Sequence, residues 1–160
     1  MTTARLQREL KKKRPFDAVE QEVALGIVRT SDQLQHRFTR LFRDFGLTPS
    51  QYNVLRILRG EGQPLPILEI ASRTITVVPG ITGLIDRLEE AGLVSRQRCA
   101  EDRRVIYVSL TAKAAKLLAS IDQPLLDLHK RLLRGVAAGE LRQLGDLLEK
   151  VRTSIAGEPE

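Results

Sequence analysis

Apolar residues return at helical intervals from Phe16 to Phe45: Val19, Val23 and Ile27, then Leu34, Phe38, Leu41 and Phe42. Polar residues fill the positions between, so the spacing predicts one long amphipathic helix whose stripe needs a partner surface. Gly46 supplies its stop. In LTPSQYNVLRIL, Thr48 predicts an N-cap, Pro49 the first helical position, and Gln51 the reciprocal member of a capping box. Val54, Leu55 and Leu58 mark the inward face of that helix, and Gly60, Gly62 and Pro64 end it. PILEIASRT predicts a third, short helix with Pro66 near its start and Ile67, Ile70 and Ala71 inward. After a break over 74–78, PGITGLIDRLEEAG sets Ile81, Leu84, Ile85 and Leu88 on one face. Pro79, Gly80, Thr82, Gly83, Asp86 and Arg87 fall on the other, and Gly92 closes the helix.

The period then changes. Leu93 to Arg98 and Arg104 to Leu110 predict two short strands, the second dense in Val105, Ile106, Tyr107 and Val108. Between them lies a charged loop holding Glu101, Asp102 and Arg103. Thr111 predicts the cap of a new helix, and Pro124 predicts a kink or a division of the segment beyond it. A leucine-rich end, Leu125, Leu126, Leu132, Leu133, Leu141, Leu144, Leu147 and Leu148, is separated by Gly135 and Gly139 into at least two helices. The reading is a mostly α fold with a small β-hairpin wing (α+β). It is a winged helix-turn-helix flanked by N- and C-terminal dimerisation helices. Such a unit lays its second helix in the major groove of DNA and reaches over the neighbouring backbone or minor groove with its ribbon. The long first helix and the leucine-rich end carry more apolar surface than a small winged helix can cover, which predicts a homodimer.

Charge changes this picture little. The net charge is +6, but residues 1–14 hold six basic groups against one acid, so the surplus is mostly a tail. From Pro64 to Arg104 arginines and acids balance, so DNA affinity would come from the placement of charges and from two copies acting together. No apolar run approaches the roughly 20 residues that span a membrane, and the basic start lacks the apolar segment of a secretory signal. A cytoplasmic protein without membrane partners is expected. The single cysteine, Cys99, excludes an internal disulfide framework. His36 and His129 stand alone, and no phosphate-cradling glycine motif or nucleophile–base pair is present. No enzyme activity, cofactor or metal is expected.

GLVSRQRCAEDRRVIYVSLT resembles the wing signature of the MarR family of bacterial transcription regulators: Gly-Leu-Val, a basic strand, Asp-x-Arg, and a β-branched strand closing on Leu-Thr. LTPSQYNVLRIL and ITGLIDRLEEAGLV resemble that family's second helix and recognition helix, and the likeness covers about residues 16–155. The resemblance implies that Arg104 enters the minor groove while Asp102 orients its guanidinium, with Arg103 reaching a phosphate. Arg96 and Arg98 of the basic strand join the candidate DNA contacts. In the recognition helix the groove-facing candidates are Pro79, Gly80, Thr82, Gly83 and Arg87. Gly80 and Gly83 let the backbone approach DNA, each at about 1 kcal/mol of helix propensity. Val77 and Val78 depart from the family's small polar helix start, which favours apolar contact or shape readout there.

The expected organisation is a basic flexible tail over 1–15, a dimerisation helix over 16–46, a DNA-binding lobe over 47–111, and dimerisation helices over 112–157. The implied partners are a pseudo-palindromic double-stranded operator, a second copy of the chain, and a small phenolic or aromatic effector. The protein would be nucleoid-associated when bound, and a repressor of nearby genes. His36, Arg40 and Tyr52, near the junction of helix bundle and DNA-binding lobe, are the pocket candidates, and each equally fits a surface or satisfied interface residue. Two other readings stay open: oxidant sensing through Cys99, and a winged-helix module that binds protein instead of DNA.

Overall fold

A computed structural model of the chain describes residues 3–102 and 104–159. The elements in order are α1 (Thr3–Glu9), α2 (Val19–Asp44), α3 (Pro49–Glu61), β1 (Leu65–Pro66), α4 (Ile67–Ser72) and α5 (Ile81–Glu90). They continue as β2 (Val94–Arg98), β3 (Ile106–Leu110), α6 (Ala112–Leu133) and α7 (Ala138–Ala156). Two compact units divide the chain after Leu118, within α6. Among the described residues no helix is long and apolar enough to cross a membrane.

In the first unit, the ends of the elements follow local chemistry. Asp44 closes α2, and Gly46 takes the left-handed backbone at φ 72°, returning the chain so that Leu47 N donates to Phe42 O. Thr48 Oγ1 accepts from Gln51 N at 3.2 Å while Gln51 Oε1 accepts from Thr48 N at 2.9 Å, the reciprocal cap that starts α3. Thr111 Oγ1 accepts from Ala114 N at 3.2 Å, opening α6, and donates back to the carbonyl of Gly92. The core gathers Val54, Leu55 and Leu58 of α3, Ile70 of α4, and Leu84, Ile85 and Leu88 of α5. Val94, Val108, Ala114 and Leu118 complete it. A fully buried Leu or Ile contributes about 1.5–3 kcal/mol, so this cluster dominates the unit's stability.

Several elements differ from the sequence expectation. The sheet has three strands in the order β1-β3-β2, all antiparallel, where two were expected. β1 is only Leu65 and Pro66, paired with Val108 and Tyr107. Proline lacks a ladder donor, and here it stands on an edge strand, where none is needed. The hairpin strands are shorter than expected, leaving Arg104 and Val105 outside β3. Residues 3–9, expected in a structureless tail, form α1. α1 lies on α2 where Gly26 leaves room: a Cβ there would sit 3.7 Å from Leu6 Cδ2. Phe16 precedes α2, and Lys12 lies over its ring, Nζ 5.4 Å from the centroid.

The second unit carries the rest of α6 and α7. Pro124 stands inside α6 without dividing it. The helices separate at residues 134–137 through Gly135, whereas Gly139 lies within α7. Ile121 and Leu128 are buried. No residue of the 19-residue α7 is buried, and Leu144, Leu147 and Ile155 are exposed large apolar side chains.

Candidate nucleic-acid interface

The helix-turn-helix is α4 and α5 with the connection 73–80 between them. Arg73, the residue that ends α4, donates from Nε to Glu69 Oε1 at 2.8 Å and from Nη1 to Glu61 Oε2 at 2.6 Å. These bonds tie the connection back to α3 and raise the Arg73 pKa, the Glu61 bond most. The pair is substantially exposed, so its role is orientation more than stability.

Gly80 is not inside the helix. It is the N-cap of α5 in a left-handed conformation, φ 69° and ψ 42°, and Pro79 lies in the preceding turn. The helix-propensity penalty expected for Gly80 therefore does not apply; its conformation is one that side chains disfavour and glycine accepts. Gly83 is helical, and a Cβ on it would meet Arg87 Nη1 at 3.9 Å, an ordinary contact. Thr82 and Arg87 are exposed on the outer side of α5, opposite buried Leu84, Ile85 and Leu88. The connection leading into α5 shows apolar residues to solvent, with Ile75 81% and Val77 92% exposed. Ile75 was not singled out by sequence reasoning, because an isoleucine in a loop reads as a buried anchor until its exposure is known.

Behind α5 lies the wing. Strand alternation sets Val94 and Arg96 on one face of β2, and α5 packs against that strand. Arg96 Nη2 pairs with Glu89 Oε2 at 2.6 Å, Nε donates to the same oxygen at 2.8 Å, and Nη1 donates to Asp86 Oδ1. The Arg96 backbone amide also donates to Glu89 Oε1, at 3.1 Å. The Glu89 bond is the largest cause raising the Arg96 pKa. Arg96, expected among the DNA contacts, thus has its guanidinium occupied by two carboxylates of α5. Arg98, one turn of the pleat further, is exposed.

At the tip, Val105 N donates to Asp102 O and Cys99 N to Val105 O, each at 3.0 Å. Asp102 Oδ1 accepts from the backbone amide of Arg104 at 2.9 Å. Asp102 therefore orients the main chain of Arg104, where its guanidinium was expected; a short carboxylate reaches an amide two residues on more readily than it follows a long side chain. Arg104 is exposed, and among the described residues no carboxylate pairs with its guanidinium. Arg103 lies outside the described residues.

The pocket candidates separate. His36 and Arg40 share a cleft of about 660 Å³ along α2 with Ser31, Gln35, Thr39 and Arg43. His36 Nδ1 lies 2.8 Å from Asp32 O. Tyr52 is not among the lining residues; its ring stacks on Phe42, centroids 4.2 Å apart. Cys99 is a half-buried free thiol in a smaller cavity of about 330 Å³ with Pro64, Arg98 and Tyr107. Among the described residues no group of three or more His, Cys, Asp or Glu is placed to hold a metal ion.

Comparison with known proteins agrees with this architecture. Residues 47–106, from just before α3 to the first residue of β3, match the MarR family model. The chain is 41% identical to a MarR transcription factor from Planctomyces limnophilus whose crystal structure covers 84% of this chain and is itself 98% covered, with a TM-score of 0.66. It is 25% identical over 137 residues to the HTH-type transcriptional regulator FarR of Neisseria gonorrhoeae, covering 86% of this chain and 93% of that one. A crystal structure of NadR in complex with 4-hydroxyphenylacetate is 25% identical, covers 86% of this chain and 97% of its own, and has a TM-score of 0.67. Exposed helix, charged wing and likeness across nearly the whole chain converge, and the protein is a member of the MarR family of winged-helix transcription regulators.

Proposed function

We propose that the protein acts as a homodimeric repressor in the bacterial cytoplasm, binding a pseudo-palindromic operator and releasing it when a small aromatic or phenolic molecule binds. The observation that carries the reading is the wing tip: Arg104 is exposed, and Asp102 holds its backbone. An exposed guanidinium on a fixed ribbon suits the narrow, strongly negative minor groove. Thr82, Arg87 and the bare backbone at Gly83 form the major-groove side, with Arg98 and Arg103 at the flanking phosphates. Val77 and Ile75 offer apolar contact to thymine methyl groups.

Dimerisation is supported by α7, a 19-residue helix with leucines on its surface and no buried residue. A lone subunit would leave that surface in water, and pairing two copies covers it. The effector reading is supported by the cleft on α2, where Arg40 and Arg43 supply cations and Ser31, Gln35 and Thr39 supply hydrogen-bonding groups suited to a phenol or carboxylate. NadR, of similar sequence, binds 4-hydroxyphenylacetate. Catalysis has no part in this reading.

A gel-shift titration with the DNA upstream of the protein's own gene, with and without 4-hydroxyphenylacetate, tests it. A specific shifted band that fades with the aromatic acid supports both parts. A band indifferent to it removes this class of effector, and no band at moderate salt favours a protein-binding module.

A further inference from the structure

Arg96 is placed by sequence in the basic wing strand, yet its guanidinium bonds Glu89 and Asp86, and its own amide bonds Glu89. We infer that Arg96 is a positioning residue: it locks the wing onto the recognition helix and neutralises the two carboxylates that α5 would otherwise carry toward DNA. This rests on the DNA-binding reading of α5 and the wing.

Three features carry the inference. Asp86 and Glu89 are three residues apart on α5, so one planar fork spans both. Arg96 is 29% exposed, which shields the pairs from solvent more than those of Arg73. Its neighbour on the same strand face, Val94, is buried, and its partner across the sheet is Val108, also buried. The ion-pair cluster thus borders the core at the seam between α5 and β2. A helix in the major groove and an arginine in the minor groove bind together only when the seam keeps their spacing. Two unpaired carboxylates beside a polyanion would also repel it. A lysine at this position offers a single point charge and cannot span both acids in the same geometry.

The full-length protein, free and with its upstream duplex, provides the test. In Arg96→Ala the affinity for DNA should fall about five- to tenfold, while the slope of log affinity against log salt stays at the wild-type value. A slope reduced by about two per dimer would mean that Arg96 touches phosphate, and an unchanged affinity would mean that the seam needs no clamp; either overturns the inference. In the free protein, amides of 94–98 should exchange hydrogen faster in Arg96→Glu, regain protection in the Glu89→Arg, Arg96→Glu double variant, and leave α3 unchanged throughout. Equal protection in all forms overturns the inference independently of DNA. Arg96→Gln, which keeps part of the stem, replaces the alanine variant should that one fail to fold. If the wild-type protein binds no duplex, the proposed function fails while the exchange comparison still decides the clamp.

Discussion

Gly80 holds a left-handed backbone with open space where a Cβ would go, whereas Gly83, three residues on, is helical and lies beside Arg87. The two should respond oppositely to alanine. Gly80→Ala meets no clash but forces a side chain into φ 69°, and should lose about 1–2 kcal/mol in chemical denaturation. Gly83→Ala should gain up to about 1 kcal/mol of stability and yet weaken DNA binding, because the new methyl stands where the backbone approaches the groove. A titration showing tighter binding by the stabilised variant would remove Gly83 from the interface. Arg104→Ala should cost about 1–3 kcal/mol of operator affinity with an unchanged unfolding midpoint, as read in salt-matched titrations. Residue identities at this site were visible in the chain, but their partners were not. Nothing in VSRQR distinguishes Arg96, tied to Asp86 and Glu89, from Arg98, which is exposed. That difference is made by the packing of β2 on α5, a contact that spacing along the sequence does not encode.

Elements whose ends are set by neighbouring residues were legible. The cap of α3 needs only Thr48 and Gln51, and the stripe of α5 repeats within one helix, so periodicity finds both. Thr48→Ala should lower stability by about 1 kcal/mol without altering the salt dependence of DNA binding; a changed salt slope would show that the cap does more than hold α3. β1 was not legible. Two residues, one a proline, have no strand signature of their own and exist as a strand only through Val108 and Tyr107, far along the chain. α1 was hidden for a different reason: its basic side chains read as a solvated tail, and the contact of Leu6 with the space above Gly26 is visible only in three dimensions. Pro124 was expected to kink or divide the final helices, yet α6 continues past it. A proline removes one hydrogen bond from a ladder of many, and the flanking turns remain helical.

For the molecule as a whole, the decisive surface is the apolar one that a single chain leaves uncovered. Val19, Val23 and Val28 on α2, and Leu144, Leu147 and Ile155 on α7, are all exposed. The expectation of dimerisation helices at both ends came from this excess, and the exposure of these side chains gives it a physical basis. Leu147→Glu places a charge in the proposed interface and should shift the protein from dimer to monomer in sedimentation experiments. The salt slope of its residual DNA binding should fall to about half, since each subunit contributes its own phosphate contacts. The most direct test of the central claim is a hydroxyl-radical footprint of the wild-type protein on the DNA upstream of its own gene. Two protected patches related by a dyad and centred about ten base pairs apart, each flanked by protection at the minor groove, are the predicted result. A single unpaired patch, or uniform cleavage at protein concentrations that saturate any specific site, would contradict a paired winged helix acting on DNA.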